Sequence, residues 1–310
     1  MDEFKCKRIT PATAAALRPM TFPAYRHLLS LAPAPRHPEQ GDERPVQPLG
    51  VAAWCGTVVA GLVFAETSLE GDRAPEMLSL YVKQPFRNRG LGSALLRLLE
   101  DELRAAGSTR VDAVYMTGTP GVQALERVFE KRQWAPAVAR MLSVRFTPEE
   151  AAATPWFGRM KLASSDYEIF AWTDLAAAER AELRRSHEAS AWIATGLEPW
   201  RHDQHGFDPV SSLGLRHRGT VVGWVINHRT APHAVRFTCS FMRKDLARRG
   251  RILALYTESL TRLRGTDCQT CSLTTPASYV PMVQFLRRRC IPWVGFAGET
   301  RGTSKNLSST

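Results

Sequence analysis

The sequence predicts an α/β protein built as two tandem copies of one domain, the second copy degenerate. Strand-like runs alternate with amphipathic helices, a four-residue run recurs at long range, and 310 residues suffice for two cores of ordinary size. Gly56-Thr57-Val58-Val59 returns 163 positions later as Gly219-Thr220-Val221-Val222. Each copy opens a strand-like run, Leu62-Val63-Phe64 in the first and Trp224-Val225-Ile226 in the second. Arg89-Gly90 returns 160 positions later as Arg249-Gly250. Two matches at nearly one spacing mark a repeat.

The elements of each copy follow from local pattern. Pro33 to Pro48 is rich in Pro, Arg, Glu and Gln and reads as a mobile surface loop. Glu76–Val82 reads as a strand whose alternation puts Glu76, Leu78, Leu80 and Val82 on one face. The helix after it carries Leu91, Ala94, Leu95, Leu98 and Leu99 on one side and is closed by Gly107. A strand at Val111–Met116, a helix near Gly121–Arg132 and a strand near Arg140–Phe146 complete the first copy. The second repeats this with a strand at Val235–Met242, a helix at Ile252–Arg264 ended by Gly265, a strand at Cys271–Thr274, a helix at Val280–Arg289 and a strand at Trp293–Phe296. Thr147-Pro148-Glu149-Glu150 and Thr154-Pro155 break the strand pattern. The expected division is a first domain over 1–146, a linker over 147–165, a second domain over 166–298 and a polar, frayed tail over 299–310.

Composition bounds the function. The chain is 44% apolar and 23% charged, an ordinary globular balance. No apolar run approaches the roughly 20 residues of a membrane span, and Met1-Asp2-Glu3-Phe4-Lys5-Cys6 holds no signal region. A cytoplasmic protein is expected. The formal net charge of +11 suits a polyanionic partner. Its arginines are dispersed, and no zinc-finger spacing, RNA-binding aromatic motif or basic arm points to nucleic acid. Cys268-Gln-Thr-Cys271 has the spacing of half a zinc site, but no second ligand pair accompanies it. Free thiols at a strand edge and no metal are expected.

The segment Leu80-Tyr81-Val82-Lys83-Gln84-Pro85-Phe86-Arg87-Asn88-Arg89-Gly90-Leu91-Gly92-Ser93 carries the chemistry. A strand ends, a basic glycine turn follows, and a helix begins. The first turn of a helix leaves backbone N–H groups unpartnered at the positive end of its dipole, which makes a phosphate site. Gly90 and Gly92 let a diphosphate approach the backbone, while Arg87 and Arg89 add fixed charge. A P-loop would need Gly-Lys-Ser/Thr and a dinucleotide site three glycines, and neither is present.

This run, with Arg87, Gly90 and Gly92 in an Arg-x-x-Gly-x-Gly pattern, resembles the coenzyme A-binding motif of the GNAT acetyltransferases. The resemblance covers most of the chain, the second copy as a degenerate GNAT domain, and implies a mixed-sheet α/β fold. It implies acetyl-CoA, or another short acyl-CoA, as co-substrate, with Val82 and its strand neighbours on the pantetheine arm. The amides from Asn88 through Arg89, Gly90, Leu91 and Gly92 to Ser93 would take the diphosphate. A backbone N–H near Leu80 or Tyr81 would polarise the thioester carbonyl.

Acyl transfer to an amine needs a base, and Glu76, eleven residues before Arg87, matches the register of the catalytic glutamate in histone-type members of the family. The family's tyrosine acid is absent, because its segment reads Phe129-Glu130-Lys131-Arg132-Gln133-Trp134 here. Tyr115 and Tyr81 are candidate substitutes. A 160-residue shift carries Arg87 to Ala247, Gly92 to Ile252 and Glu76 to Arg236, removing anchor, open backbone and base from the second copy. Arg248, Arg249 and Gly250 remain there as a weak anion site, and His187, His202 and His205 as weak candidates near the acceptor. The expected activity is acyl transfer to the primary amine of a small molecule or peptide, by a monomer or homodimer. Transfer to a hydroxyl, other thioester chemistry, or an acyl-CoA-sensing pseudoenzyme are the alternatives.

Overall fold

The computed structural model describes residues 4–37, 42–159, 162, 166–203, 206–247 and 250–308. Two compact units divide the chain: Met1–Arg140 with Thr300–Thr310, and Met141–Glu299.

In the first unit, β1 (Phe4–Arg8) leads into a cap of short turns over Pro11–Ser30 that includes the single helical turn α1 (Ala14–Leu17). Then come β2 (Ala34–His37), β3 (Asp42–Cys55), β4 (Val58–Ser68), β5 (Glu76–Val82), α2 (Leu91–Ala105), β6 (Arg110–Met116) and α3 (Val122–Lys131). The strands lie in the order β1-β3-β4-β5-β6, with β2 on β3. Only β5 and β6 are parallel among these.

α2 forms because Leu91, Leu95, Leu99 and Leu103 recur at helical spacing, and all four are buried against Val63, Ala65 and Val111 of the sheet. Each buried leucine contributes about 1.5–3 kcal/mol, and Leu99→Ala would cost about 2–5 kcal/mol. Gly107 stops the helix in a left-handed conformation (φ +87°), with Gly107 N donating to Arg104 O and Ser108 N to Leu103 O. The opposite sheet face packs Leu62, Phe64 and Leu78 against Leu17, Leu28 and Leu29 of the cap.

Two expectations change here. Pro33–Pro48 is not a loose loop, since Ala34 pairs with Val46 and Pro35 with Pro45 (residues 38–41 lie outside the described set). Proline and charge are tolerated on an edge strand, which is why its composition hid the strand. Nor does β5 alternate strictly. Phe64 pairs with Ser79 and Ala65 with Met77, so Leu78 is the extra residue of a β-bulge. Leu78 packs on the cap side, while Leu80 and Val82 pack on the α2 side. Ser79 also faces the cap, its Oγ 2.7 Å from Thr21 Oγ1. Glu76 therefore shares the face of Leu78, Ser79 and Tyr81, opposite Leu80 and Val82.

The chain continues with β7 (Val138–Phe146) and, in the second unit, α4 (Pro148–Ala152), β8 (Tyr167–Ala171), α5 (Ala177–Ala189), β9 (Leu213–His217), β10 (Thr220–Ala231) and β11 (Ala234–Met242). These are followed by α6 (Lys244–Ala247), α7 (Arg251–Arg264), β12 (Thr270–Pro276) and α8 (Val280–Phe285). The order is β8-β9-β10-β11-β12-β7, with β11 and β12 parallel. It repeats the first unit's plan, α7 lying between β11 and β12 as α2 lies between β5 and β6. The repeated glycines also serve alike: Gly56 (φ +59°) and Gly219 (φ +78°) close the β3–β4 and β9–β10 hairpins.

The segment expected as a linker is largely built into the second unit. Thr147 Oγ1 accepts from Glu150 N (3.1 Å) and Glu150 Oε2 from Thr147 N (2.9 Å), a reciprocal cap on α4. Ala151 then enters the core with Leu215 and Leu255; residues 160, 161 and 163–165 lie outside the described set. Near the other end, Trp293, expected to open a strand to Phe296, closes a tight turn over Ile291–Trp293, and the strand begins only at Phe296.

The polar tail is instead β13 (Phe296–Asn306). Thr300–Asn306 pairs antiparallel with β6, from Thr300↔Met116 to Asn306↔Arg110. Leu307 is 1% exposed, Thr303 Oγ1 donates to Ala135 O (2.6 Å), and Lys305 Nζ donates to the buried Glu100 (2.8 Å). Residues 309 and 310 are outside the described set. Each copy's last strand thus serves the other unit's sheet: β7 pairs with β12, and β13 pairs with β6.

Candidate functional site

The site begins where two parallel strands part. β5 and β6 pair only at Glu76↔Asp112 and Met77↔Ala113 among the described residues. Past Met77, β5 pairs with β4 on one edge and with no strand on the other among the described residues, while β6 turns to β13. Because Lys83 N donates to Ala60 O, the register turns the Tyr81 backbone to Leu62 of β4 and leaves Leu80 and Val82 on the other edge, placed for an extended ligand as for a further strand.

The basic turn lies at the open end of that wedge. Phe86 anchors it by an edge-on contact with Phe4 (5.9 Å between centroids). Asn88 (φ +60°) and Gly90 (φ +78°) are both left-handed, and Gly90 is the N-cap of α2 with no side chain capping the helix. Arg87, Asn88, Arg89 and Gly90 are exposed, Gly92 and Ser93 half-buried, and Leu91 is sunk in the core. A Cβ on Gly92 would meet only Val128 at 3.5 Å and Val82 at 3.9 Å, so the protein itself does not demand glycine there. An approaching ligand would. Arg87 Nε donates to the Val82 carbonyl (2.9 Å), its guanidinium 6.0 Å from the Tyr81 ring centroid.

On the cap face, Glu76 is partly exposed (21%) and accepts from Arg36 Nη2 at 2.7 Å. Arg36 Nε lies 2.7 Å from Glu66 Oε1, and Arg73 Nη1 donates to the same oxygen at 2.7 Å. Glu66 is fully buried. Tyr25 stands beside this group, its phenol pushed up first by burial and then by the Glu76 carboxylate. Sequence reading singled out Glu76 but missed Arg36, whose only signal was an arginine inside a supposed loop.

Of the substitute acids, Tyr81 is 38% exposed on the cap face. Tyr115 packs 5.8 Å from the Phe129 ring and donates to Glu126 Oε1 (2.9 Å), which also accepts from Arg301 Nη1 (3.0 Å). Burial, then this hydrogen bond, pushes the Tyr115 phenol up to about 12. Such a group gives a hydrogen bond more readily than a proton. Arg301, from the supposed tail, also lines an open cleft of about 600 Å³ with Thr117, Thr119, Gln123 and Arg127.

In the second unit, Gly250 (φ +65°) caps α7 as Gly90 caps α2, but Ile252 packs into the core and Arg236 is exposed. Arg248, Arg249 and His205 lie outside the described residues. His187 Nδ1 accepts from Ile193 N (3.3 Å), and His202 Nε2 lies 2.8 Å from Gly196 O; both hold the loop they sit on. Cys271 faces the core instead of a strand edge, 3.9 Å from Cys268 Sγ, and burial raises its pKa. Among the described residues, no group of three or more His, Cys, Asp or Glu could hold a metal ion. No helix among them is long and apolar enough to cross a membrane.

Residues 15–132 match the model of the acetyltransferase (GNAT) family. No curated protein matches the sequence. Among solved structures, the fold is similar to a tandem GNAT protein from the clavulanic acid biosynthesis pathway (TM-score 0.54, 12% identity, 99% of this chain and 100% of that one). It is also similar to a GCN5-related N-acetyltransferase from Sphaerobacter thermophilus (0.53, 16%, covering 100% and 97%). A GNAT-family acetyltransferase from Colwellia psychrerythraea aligns comparably (0.53, 12%, covering 97% and 100%). At these identities the likeness speaks for the fold, and it extends over both units. Residues 15–132 thus match a GNAT acetyltransferase domain, and the likeness in fold to tandem GNAT proteins takes in the rest of the chain.

Proposed function

We propose that the protein transfers an acyl group, most simply acetyl, from coenzyme A to a primary amine, using the first unit alone for the thioester. The parting of β5 and β6 beside an uncapped, glycine-led helix is the observation that carries this reading. The edge at Leu80 and Val82, with Tyr81 between them, suits the amide-bearing pantetheine arm. Asn88 to Ser93 present backbone N–H groups to the diphosphate, with Arg87 and Arg89 as counter-charge. The thioester supplies an activated acyl carbon and a good leaving group. The N–H of Leu80 stabilises charge on its carbonyl oxygen, and Glu76 takes the proton that frees the amine for attack. A thiol with a pKa near ~8.5 leaves without a strong acid, which fits phenylalanine at position 129.

The Arg36–Glu76 pair favours one other reading, a binding-only protein, because the carboxylate proposed as base already has an arginine partner at 2.7 Å. The test is calorimetry with acetyl-CoA, followed by thiol detection with a panel of amines. Binding with stoichiometric coenzyme A release supports the enzyme. Binding with no release supports the sensor, and no binding removes both.

A further inference from the structure

We propose that the acceptor is a zwitterion of the α-amino acid class, its ammonium meeting Glu76 and its carboxylate meeting Arg36. This rests on the N-acyltransferase reading above.

Four charged groups on the cap face are joined by ion pairs. Glu66 and Glu76 balance Arg36 and Arg73, with Arg36 bridging the two carboxylates at 2.7 Å each. Once Glu76 receives a proton from an ammonium, Arg36 loses that carboxylate as its counter-charge, and the Arg36–Glu76 bond is the one to open. This bond opens at least cost, because the fully buried Glu66 keeps Arg73 while Arg36 and Glu76 are the partly exposed pair (16% and 21%). What enters decides whether the exchange is favourable. A simple amine would pair with Glu76 but leave an Arg36 nitrogen without its anion in a largely buried place, which is expensive. A molecule bearing ammonium and carboxylate on the same or adjacent carbons replaces both halves of the opened pair and leaves the net charge unchanged. Arginine is also the side chain best shaped for a carboxylate.

The step then balances. The ammonium gives one proton to Glu76, its nitrogen bonds to the acyl carbon, and the carbon–sulfur bond breaks. The nitrogen's second proton ends on the departing sulfur, and Glu76 returns its own to water. The products are an N-acyl amino acid and free coenzyme A. The acyl product has no cation for Glu76, so Arg36 regains its partner as the product leaves.

The experiment uses the full chain with acetyl-CoA and matched pairs of acceptors, each a free amino acid and its carboxamide with the same side chain. The free acid should exceed its amide about 10- to 100-fold in kcat/KM, the worth of a charged hydrogen bond. In Arg36→Gln the preference should disappear, with KM rising for the acid and falling for the amide, which no longer leaves an arginine without its anion. Arg36→Lys should restore part of it, which a merely structural arginine would not explain. Should Arg36→Gln fail to fold, the wild-type acid-to-amide ratio decides alone. Equal use of acid and amide would overturn the proposal while leaving the acyltransferase reading intact. If neither member of any pair releases coenzyme A, the pairs are titrated into the protein with coenzyme A present. Binding of the acid over the amide upholds the proposal; equal binding, or none, ends it. Failure to bind acetyl-CoA at all would instead sink the reading beneath it.

Discussion

Ending the chain after Glu299 removes the part of β13 that completes the first unit's sheet. The deletion takes away seven residues in register with β6, together with Leu307, Thr303 and Lys305. A backbone hydrogen bond is worth about 0.5–1.5 kcal/mol net, and the Lys305–Glu100 contact about 1.5–3 kcal/mol. Losing the buried Leu307 side chain adds about 2–4 kcal/mol. Even at their low ends these reach roughly 7 kcal/mol, comparable to the whole stability of a typical domain. The first unit should therefore lose its cooperative transition, and with it acetyl-CoA binding. The second unit, whose residues are contiguous, should keep its transition. Thermal and urea unfolding by circular dichroism, with calorimetry for the ligand, would follow both. Supplying residues 296–310 as a peptide should restore part of the binding. Undiminished affinity and two unchanged transitions in the shortened chain would refute the reasoning.

Other outcomes follow from the same geometry. Calorimetry should find one acetyl-CoA site per chain; Gly92→Val should weaken it with little change in Tm, and Ile252→Val should leave it unaltered. Two equivalent sites would contradict the degenerate second copy. Glu76→Gln should lower turnover roughly 10²–10⁴-fold at preserved coenzyme affinity, the deficit narrowing at high pH where free amine is abundant; a flat profile would remove Glu76 from the reaction. Tyr115 holds its proton to about 12, so between roughly pH 10, where an unfolded tyrosine ionises, and 12 the folded state binds more protons and stability falls as pH rises. Tyr115→Phe should flatten that stretch of the pH–stability curve.

What could be read in the sequence was what depends on near neighbours. The leucines of α2, the glycine that stops it and the Gly90 turn declare themselves within one or two helical turns. The repeat was legible because the glycines at 56 and 219 close equivalent hairpins. The bulge at Leu78 could not be read, because it exists only relative to the register of β4. A strict alternation then put Glu76 on the face of Leu80 and Val82, from which the bulge separates it. Arg36 was lost for a similar reason, since its contact with Glu76 spans forty residues and reaches it from an edge strand that tolerates proline. β13 reads as a tail because its residues are polar, and what they bury is their pairing with β6 and one distant carboxylate.

The exchange of last strands sets an order on how this protein can be made. Met116 and its partner Thr300 are 184 residues apart, so β6 waits on the ribosome until nearly the whole second unit has been synthesised. The second unit, by contrast, is complete in one uninterrupted stretch and holds β7 from the start of that stretch. Translation runs from the first unit to the second, but closure runs the other way. Until β13 arrives, β6 presents an unpaired edge to its surroundings, and long-range pairing of this kind is slow. Slowing translation within residues 141–299 should therefore lengthen the exposure of that edge and lower the soluble yield, with no residue of the protein altered.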